Sequence, residues 1–128
     1  ASPPIRLAVA AFDNETGDAA MDTVARGFSD GLVARLAGFP SQRLAVIGSD
    51  PLLARARRFR DVAAIHRSLR ADYVILGQVQ SAGERMRVIV HLIRAEDESH
   101  LWAHRFDREH PEDATGRNYG QPAPTPSP

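Results

Sequence analysis

The run Tyr73-Val74-Ile75-Leu76-Gly77-Gln78-Val79-Gln80, entered through Ala71 and Asp72, constrains this chain more than any other stretch. In an extended conformation Tyr73, Ile75 and Gly77 fall on one face and Val74 and Leu76 on the other, so both faces begin apolar. A strand apolar on both faces belongs in the middle of a sheet covered on both sides. The segments before it must build one half of that sheet and the segments after it the other.

The preceding residues alternate between the two periods. Residues 5–11 carry Ile5, Leu7, Val9 and Ala11 on one face of a first strand, and residues 12–18 form a polar turn. Met21, Val24, Ala25, Phe28, Leu32 and Leu36 then recur at helical spacing behind Asp18 as N-cap, with Gly38-Phe39-Pro40 as the stop. Gly27 and Gly31 sit four apart inside that helix, where they are expected to let it lie close to the sheet. Leu44, Ala45, Val46 and Ile47 form a second short strand. A short helix is expected over residues 52–58 behind Pro51, then another capped by Asp61 with Val62, Ile65 and Leu69 buried. Arg55, Arg57, Arg58, Arg60, Arg67 and Arg70 cluster there and read as a solvated helical face, with an anion or acidic-partner patch as the second reading.

Beyond the central strand, residues 86–95 and 99–108 form two more strands. Val88, Val90 and Leu92 oppose Ile89 and Ile93 on the first; Trp102 and Phe106 oppose Leu101 and Ala103 on the second. The expected fold is α/β: a mixed five-stranded sheet in the order 2-1-3-4-5, the fourth strand antiparallel, helices on both faces. Residues 1–110 form this single domain. Residues 111–128, with four prolines at the end and no apolar period, read as a disordered tail or linker.

Composition excludes several functions. The 16 basic and 16 acidic residues balance, which argues against a nucleic-acid partner. All the basic residues are Arg, and with no Cys there is no disulfide or thiol chemistry. No run approaches the ~18 apolar residues of a membrane span, and Ala1-Ser2-Pro3-Pro4 is not a signal peptide. Catalytic equipment is absent too. Asp13 and Asp18 beside the strand-order switch would repel phosphate, and Asn14-Glu15-Thr16-Gly17 is not a phosphate-binding loop. Ser29, Ser49 and Ser68 lie in no nucleophile motif. His91 and His104 face each other if the last hairpin loop has two residues, but zinc needs three or four ligands, so two neutral histidines packed on a sheet are the expected arrangement. No enzyme activity, cofactor or metal is expected.

Phe12, Asn14, Thr16-Gly17-Asp18 and Gly27-Phe28-Ser29-Asp30-Gly31-Leu32 resemble the opening of the TolB N-terminal-like domain family. Tyr73 to Val79, Arg87-Val88, Leu92-Ile93 and His100-Leu101-Trp102-Ala103-His104-Arg105-Phe106-Asp107-Arg108 continue the likeness, the last stretch being its most specific part. The resemblance implies a mixed α/β sheet and a non-catalytic interaction or sensing module, found in envelope proteins and in regulators or adenylate cyclase-like proteins. The chain departs from the pattern at three places. Ala11 replaces Pro, Glu98 stands where Gly is preferred, and residues 109–117 offer no apolar stripe for the usual closing helix.

The functional expectation is a protein-interaction module of a bacterial cell-envelope or membrane-tethered protein, at the periplasmic or another extracytoplasmic face, binding a protein partner or itself. The alternative is a small-ligand sensor domain of a membrane-bound transcriptional regulator or adenylate cyclase-like protein. The candidate contact residues are Asn14, Gln78, Ile89, Ile93, Trp102, Arg105 and Phe106. With a two-residue hairpin loop, Ile89, Ile93, Trp102 and Phe106 would share one face, rimmed by His100, Arg105 and Arg108.

Overall fold

The computed structural model describes residues 3–109. The elements are β1 (Ile5–Val9), β2 (Asp13–Asn14), α1 (Asp22–Ala37), β3 (Leu44–Ile47), α2 (Val62–Leu69), β4 (Tyr73–Ala82), β5 (Arg85–Arg94) and β6 (His100–Glu109). The sheet runs β3-β1-β4-β5-β6, with β1 parallel to β3 and β4, and β5 antiparallel to both neighbours. This is the order expected from the sequence. The polar turn adds one element to it: β2 pairs Asp13 and Asn14 with Gln78 and Val79 of β4, beyond the end of β1.

The central strand separates two cores. On one side Leu7, Val9, Ile75, Val79 and Val88 pack with Phe12, with Met21 just before α1 and with Ala25 of α1. On the other, Ala8, Ala10, Val74 and Ile93 pack with Leu53 and with Ile65 of α2. The small residues of β1 let two layers meet across one thin strand.

Local chemistry sets the helix ends. Asp18 Oδ1 accepts from Ala20 N at 3.0 Å and caps a one-turn 3-10 segment, Ala19–Met21, that leads into α1. Asp61 Oδ1 accepts from Ala64 N at 3.0 Å and caps α2. The expected helix over residues 52–58 is instead two 3-10 turns, Pro51–Leu53 and Arg57–Phe59. Too few residues lie between Asp50 and Asp61 to repeat an apolar stripe, and each turn closes against the ends of β1 and β2.

The last hairpin differs from expectation in register. Leu92 lies opposite Trp102, Val88 opposite Phe106 and Ile89 opposite Arg105, with an irregularity between Leu92 and Ile93. The turn is longer than two residues and passes through Glu98 at φ 59°, the left-handed conformation that favours glycine. A one-residue offset exchanges the faces of a strand. Trp102 and Phe106 therefore share the α1 face with Val88 and Val90, while Ile89 and the buried Ile93 lie on the α2 face. The expected four-residue patch is divided between the two sides. His91 faces Ala103 and not His104. Among the described residues no helix is long and apolar enough to cross a membrane. The tail from residue 111 lies outside them.

Candidate functional site

The loop after β1 is built around Asn14. Its Nδ2 donates to Asp18 O at 2.8 Å and to Asp22 Oδ1 at 2.7 Å, and its Oδ1 accepts from Thr16 N and Thr16 Oγ1 at 3.0 and 2.6 Å. Gly17, at φ 85°, completes the turn. The Asn-x-Thr-Gly-Asp spacing thus ties the sheet to the start of α1, and both ends of the Asn14 amide are occupied by the chain itself. Ser29 adds a second clamp: its Oγ accepts from Phe12 N at 3.3 Å and donates to Arg26 O at 3.0 Å.

On the α2 face, one arginine of the expected solvated cluster is interior. The Arg60 side chain is 5% exposed, and its Nη2 donates to Asp13 Oδ2 at 3.1 Å, Ala11 O at 3.3 Å and Arg55 O at 3.2 Å. Arg57 supplies its backbone N–H to Asp13 Oδ1 at 3.0 Å and its guanidinium to Glu15 Oε2 at 3.2 Å. Asp13 is thereby neutralised. Breaking one partner of a buried pair like this typically costs ~3–5 kcal/mol, because the other charge is stranded.

Beside this pair is a cavity of about 240 Å³, bounded by Arg57, Arg60, Leu76, Gln78, His91 and the hairpin turn at Glu98 and His100. The His91 ring meets Gln78 Oε1 through Nε2 at 3.0 Å and packs edge-on against His100 at 5.6 Å. Burial, followed by the charges of His100 and Arg57, lowers the His91 pKa. Two buried polar atoms here have no partner among the described residues: Arg60 Nε and His91 Nδ1. An unpaired buried group costs about 1–3 kcal/mol, so each calls for a reason. Among the described residues no three metal-ligand side chains come together.

On the α1 face an open groove of about 510 Å³ separates α1 from β5 and β6. Its floor includes Val88 and Val90; Phe28 and Leu32 form the helix wall and Trp102 and Phe106 the outer wall. Trp102 is 51% exposed. Its indole stacks on His104, and His104 leans on Phe106, both at 5.8 Å; the Arg108 guanidinium lies 5.2 Å from the Phe106 ring. Gly27 and Gly31 open onto this groove, and a Cβ at either would meet nothing within 4 Å. The glycines therefore do not serve close packing of helix on sheet. The two charged residues of the lining, Arg35 and Arg108, are both cations.

The seven candidate residues thus fall into five places. Trp102 and Phe106 line the groove, and Gln78 lines the polar cavity. Asn14 holds the loop. Ile93 is core, while Ile89 and Arg105 face each other on the α2 side of the sheet. The sequence reading gave Gly27 and Gly31 a close-packing role they do not have, and missed the roles of Arg60, His91 and Ser29. For Ser29 a signal existed: a small polar residue among the apolar positions of α1.

Comparison with known proteins places this arrangement. The chain is 32% identical over 114 residues to a putative adenylate cyclase 3 of Rhizobium meliloti (strain 1021), covering 84% of this chain and 19% of that protein. It therefore spans about a fifth of the length of the curated relative it matches. Its fold is shared by lipoprotein GNA1162 of Neisseria meningitidis, at TM-score 0.62 and 15% identity over 89% of this chain and 87% of that one. The LpoB C-terminal domain from Escherichia coli follows at TM-score 0.61 and 14% identity over 83% of each. TolB from Acinetobacter baumannii matches at TM-score 0.51 and 16% identity, over 84% of this chain and 24% of that one. The expected likeness to TolB holds at the level of fold. The family that matches in sequence is another, and it covers every element described above: over residues 5–119 the chain belongs to the HilA/YgeH-like transcriptional regulator second-domain family.

Proposed function

We propose that this domain is a non-catalytic protein-interaction module within a longer bacterial regulatory or membrane-tethered protein, and that the groove between α1 and β6 is its docking surface. The observation that carries this reading is the α1 face of β5 and β6, which among the described residues is left partly uncovered. Two strands span ~10 Å across the sheet, about the width of one α-helix or one extended segment with its side chains. Sealing the half-exposed Trp102 alone would contribute roughly 1 kcal/mol. Arg35 and Arg108, with no acid among the described residues of the lining, favour a partner whose apolar residues are flanked by Asp or Glu.

Twelve residues line the groove, fewer than the ~20–30 a side of a stable free interface. Docking of that size suits a partner held nearby in the same assembly, where effective concentrations reach the millimolar range. The regulator family and the cyclase relative support a place inside such a longer protein. The lipoprotein GNA1162 likeness supports the extracytoplasmic face of the envelope as its location.

Site-specific photo-crosslinking in cells tests the proposal. A crosslinker at Trp102 is expected to give discrete protein adducts that disappear when Gly31→Leu fills the groove. A crosslinker at Arg67 on the α2 side is the control. Equal adducts at both positions, or none at 102, would refute the docking surface.

A further inference from the structure

β6 is the long edge of the sheet. It runs ten residues, His100–Glu109, and among the described residues its outer side pairs with no strand. Proteins usually shorten such an edge, or interrupt it with proline or a bulge. β6 has no proline, and from Trp102 to Glu109 its pairing with β5 is regular. Apart from the half-buried Phe106 it is exposed along its length. Its α1 face carries His104, Phe106 and Arg108, and its α2 face Ala103, Arg105, Asp107 and Glu109. Asp107 accepts from Arg87 Nε through Oδ1 at 3.0 Å, which leaves Oδ2 free among the described residues. Arg105 lies opposite Ile89 and has no carboxylate partner among them.

We propose that β6 is a self-complementary edge, through which two copies of this chain join antiparallel about a two-fold axis at Phe106. An axis perpendicular to the sheet closes the assembly at two copies and keeps both α1 faces on one side. Opposed residues of an antiparallel pair share a face, so the axis must pass through a residue and not between two. Charge then chooses the residue, because like charges directly opposite are destabilising and opposite charges stabilise. An axis at Arg105 sets Arg105 against itself, and one at Asp107 does the same to Asp107. An axis at His104 pairs Trp102 with Phe106, but sets the Asp107 carboxylate against Leu101 and Arg105 against Ala103. The axis at Phe106 places each Arg105 opposite Asp107 of the second copy, on the side of its free Oδ2. The two Phe106 rings meet, His104 faces Arg108, and Ala103 faces Glu109.

This pairing stands on β6 and does not require the docking reading, but it extends it. The two grooves end at the same joined strands and open on the same side, so they become the halves of one trough between two α1 helices. One groove has twelve lining residues; two together reach the ~20–30 a side of a stable interface.

Sedimentation velocity of the full chain tests the proposal. The parent is expected to show a concentration-dependent monomer–dimer equilibrium. Arg105→Glu sets acids opposite acids and Asp107→Arg sets guanidinium groups opposite one another, so each alone should dimerise about tenfold more weakly, equivalent to ~1.4 kcal/mol. An equal mixture of the two restores both opposite-charge pairs and should form a heterodimer at parental strength, an outcome that damage to the fold would not produce. Cysteine substitution reads the register separately, since the chain has no cysteine of its own. At the axis two Cα atoms stand ~4.5–5.5 Å apart, within the ~4.4–6.8 Å of a disulfide. Phe106→Cys should therefore oxidise to a covalent dimer. His104→Cys, four residues from its equivalent and ~13 Å away, should not. Four results would overturn the proposal. The first is a parent monomeric at every concentration, its edge then left to residues 110–128 or to another protein. The second is a dimer indifferent to Arg105→Glu. The third is a mixture no stronger than its components, with both variants folded by circular dichroism. The fourth is cross-linking at 104 as strong as at 106.

Discussion

Replacing Gly27 and Gly31 by alanine separates two explanations of why α1 carries glycines one turn apart. If they existed to bring the helix down onto the sheet, a methyl group at either position would jam the packing and cost ~1–3 kcal/mol. The structure gives the opposite expectation. Both residues are exposed, both lie in the interior of a 16-residue helix, and a Cβ at either meets nothing within 4 Å. Alanine then only restricts the unfolded chain and favours the helix, by about 0.5–1 kcal/mol at each site. The double variant should gain roughly 1–2 kcal/mol, and at about 4–8 °C per kcal/mol for a domain near 100 residues its melting temperature should rise by about 4–16 °C. Urea unfolding followed by far-UV circular dichroism reads the same quantity at one temperature. The proposed docking predicts a second effect of opposite sign: the stabilised variant should lose Trp102-dependent crosslinking in cells. A fall in stability in either single variant would show that the helix and sheet do need those bare backbones.

Three further outcomes are expected. A Cβ at Gly77 would stand 2.5 Å from Phe12 Cε1 and Cζ, so Gly77→Ala should cost ~1–3 kcal/mol in urea melts. That cost should largely vanish in a Phe12→Ala background; strict additivity would mean the two residues do not touch. Arg70 ends α2 at φ 55° with no side-chain hydrogen bond to the described residues, so Arg70→Gly should stabilise the domain by about 1 kcal/mol, and an unchanged melting temperature would contradict it. Finally, the folded pKa of His91 lies below its ordinary value of 6.5, so protonation favours the unfolded chain. The His91 contribution should be complete above pH 6.5 and decline as pH falls through that value toward the folded pKa. Asp97 and Asp107, held low chiefly by hydrogen bonds from Ser99 and Arg87, titrate below that window. His91→Phe should flatten the urea midpoint between about pH 7.5 and 5.5; an equal slope in parent and variant would refute the assignment.

The strand order was legible because it rests on periodicity and on the two-sided apolar run of β4, both of which are local. β2 was not, because Asp13 and Asn14 look like turn residues. Asp13 pairs into the sheet with its carboxylate held by the Arg57 backbone N–H and balanced by the Arg60 guanidinium, 44 and 47 residues later. The face shared by Trp102 and Phe106 was legible, but not its relation to Ile89 and Ile93. That relation depends on one residue of register in a turn that passes through Glu98 at φ 59°. The unusual Glu98 was visible in the sequence as the place where the resembled family prefers Gly; the direction of the offset was not. The spacing of Gly27 and Gly31 was equally plain. Whether they face the sheet or the groove is decided by how far α1 extends across the strands, which no local pattern encodes. Arg60 was hidden among exposed arginines for the same reason: its acceptors come from other segments.

β1 lies inside the sheet between β3 and β4, and both of these neighbours come later in the chain. During synthesis this strand therefore waits. Its first partner becomes available only after residue 47, and its second, the strand that joins it to the β4-β5-β6 meander, only after residue 75. The meander closes through short antiparallel turns and can form early and locally, whereas β1 must be captured across a wide sequence gap. Until then an apolar segment, with Leu7 and Val9 on it, is unpaired. Folding of this domain therefore cannot be completed until its C-terminal half has been made.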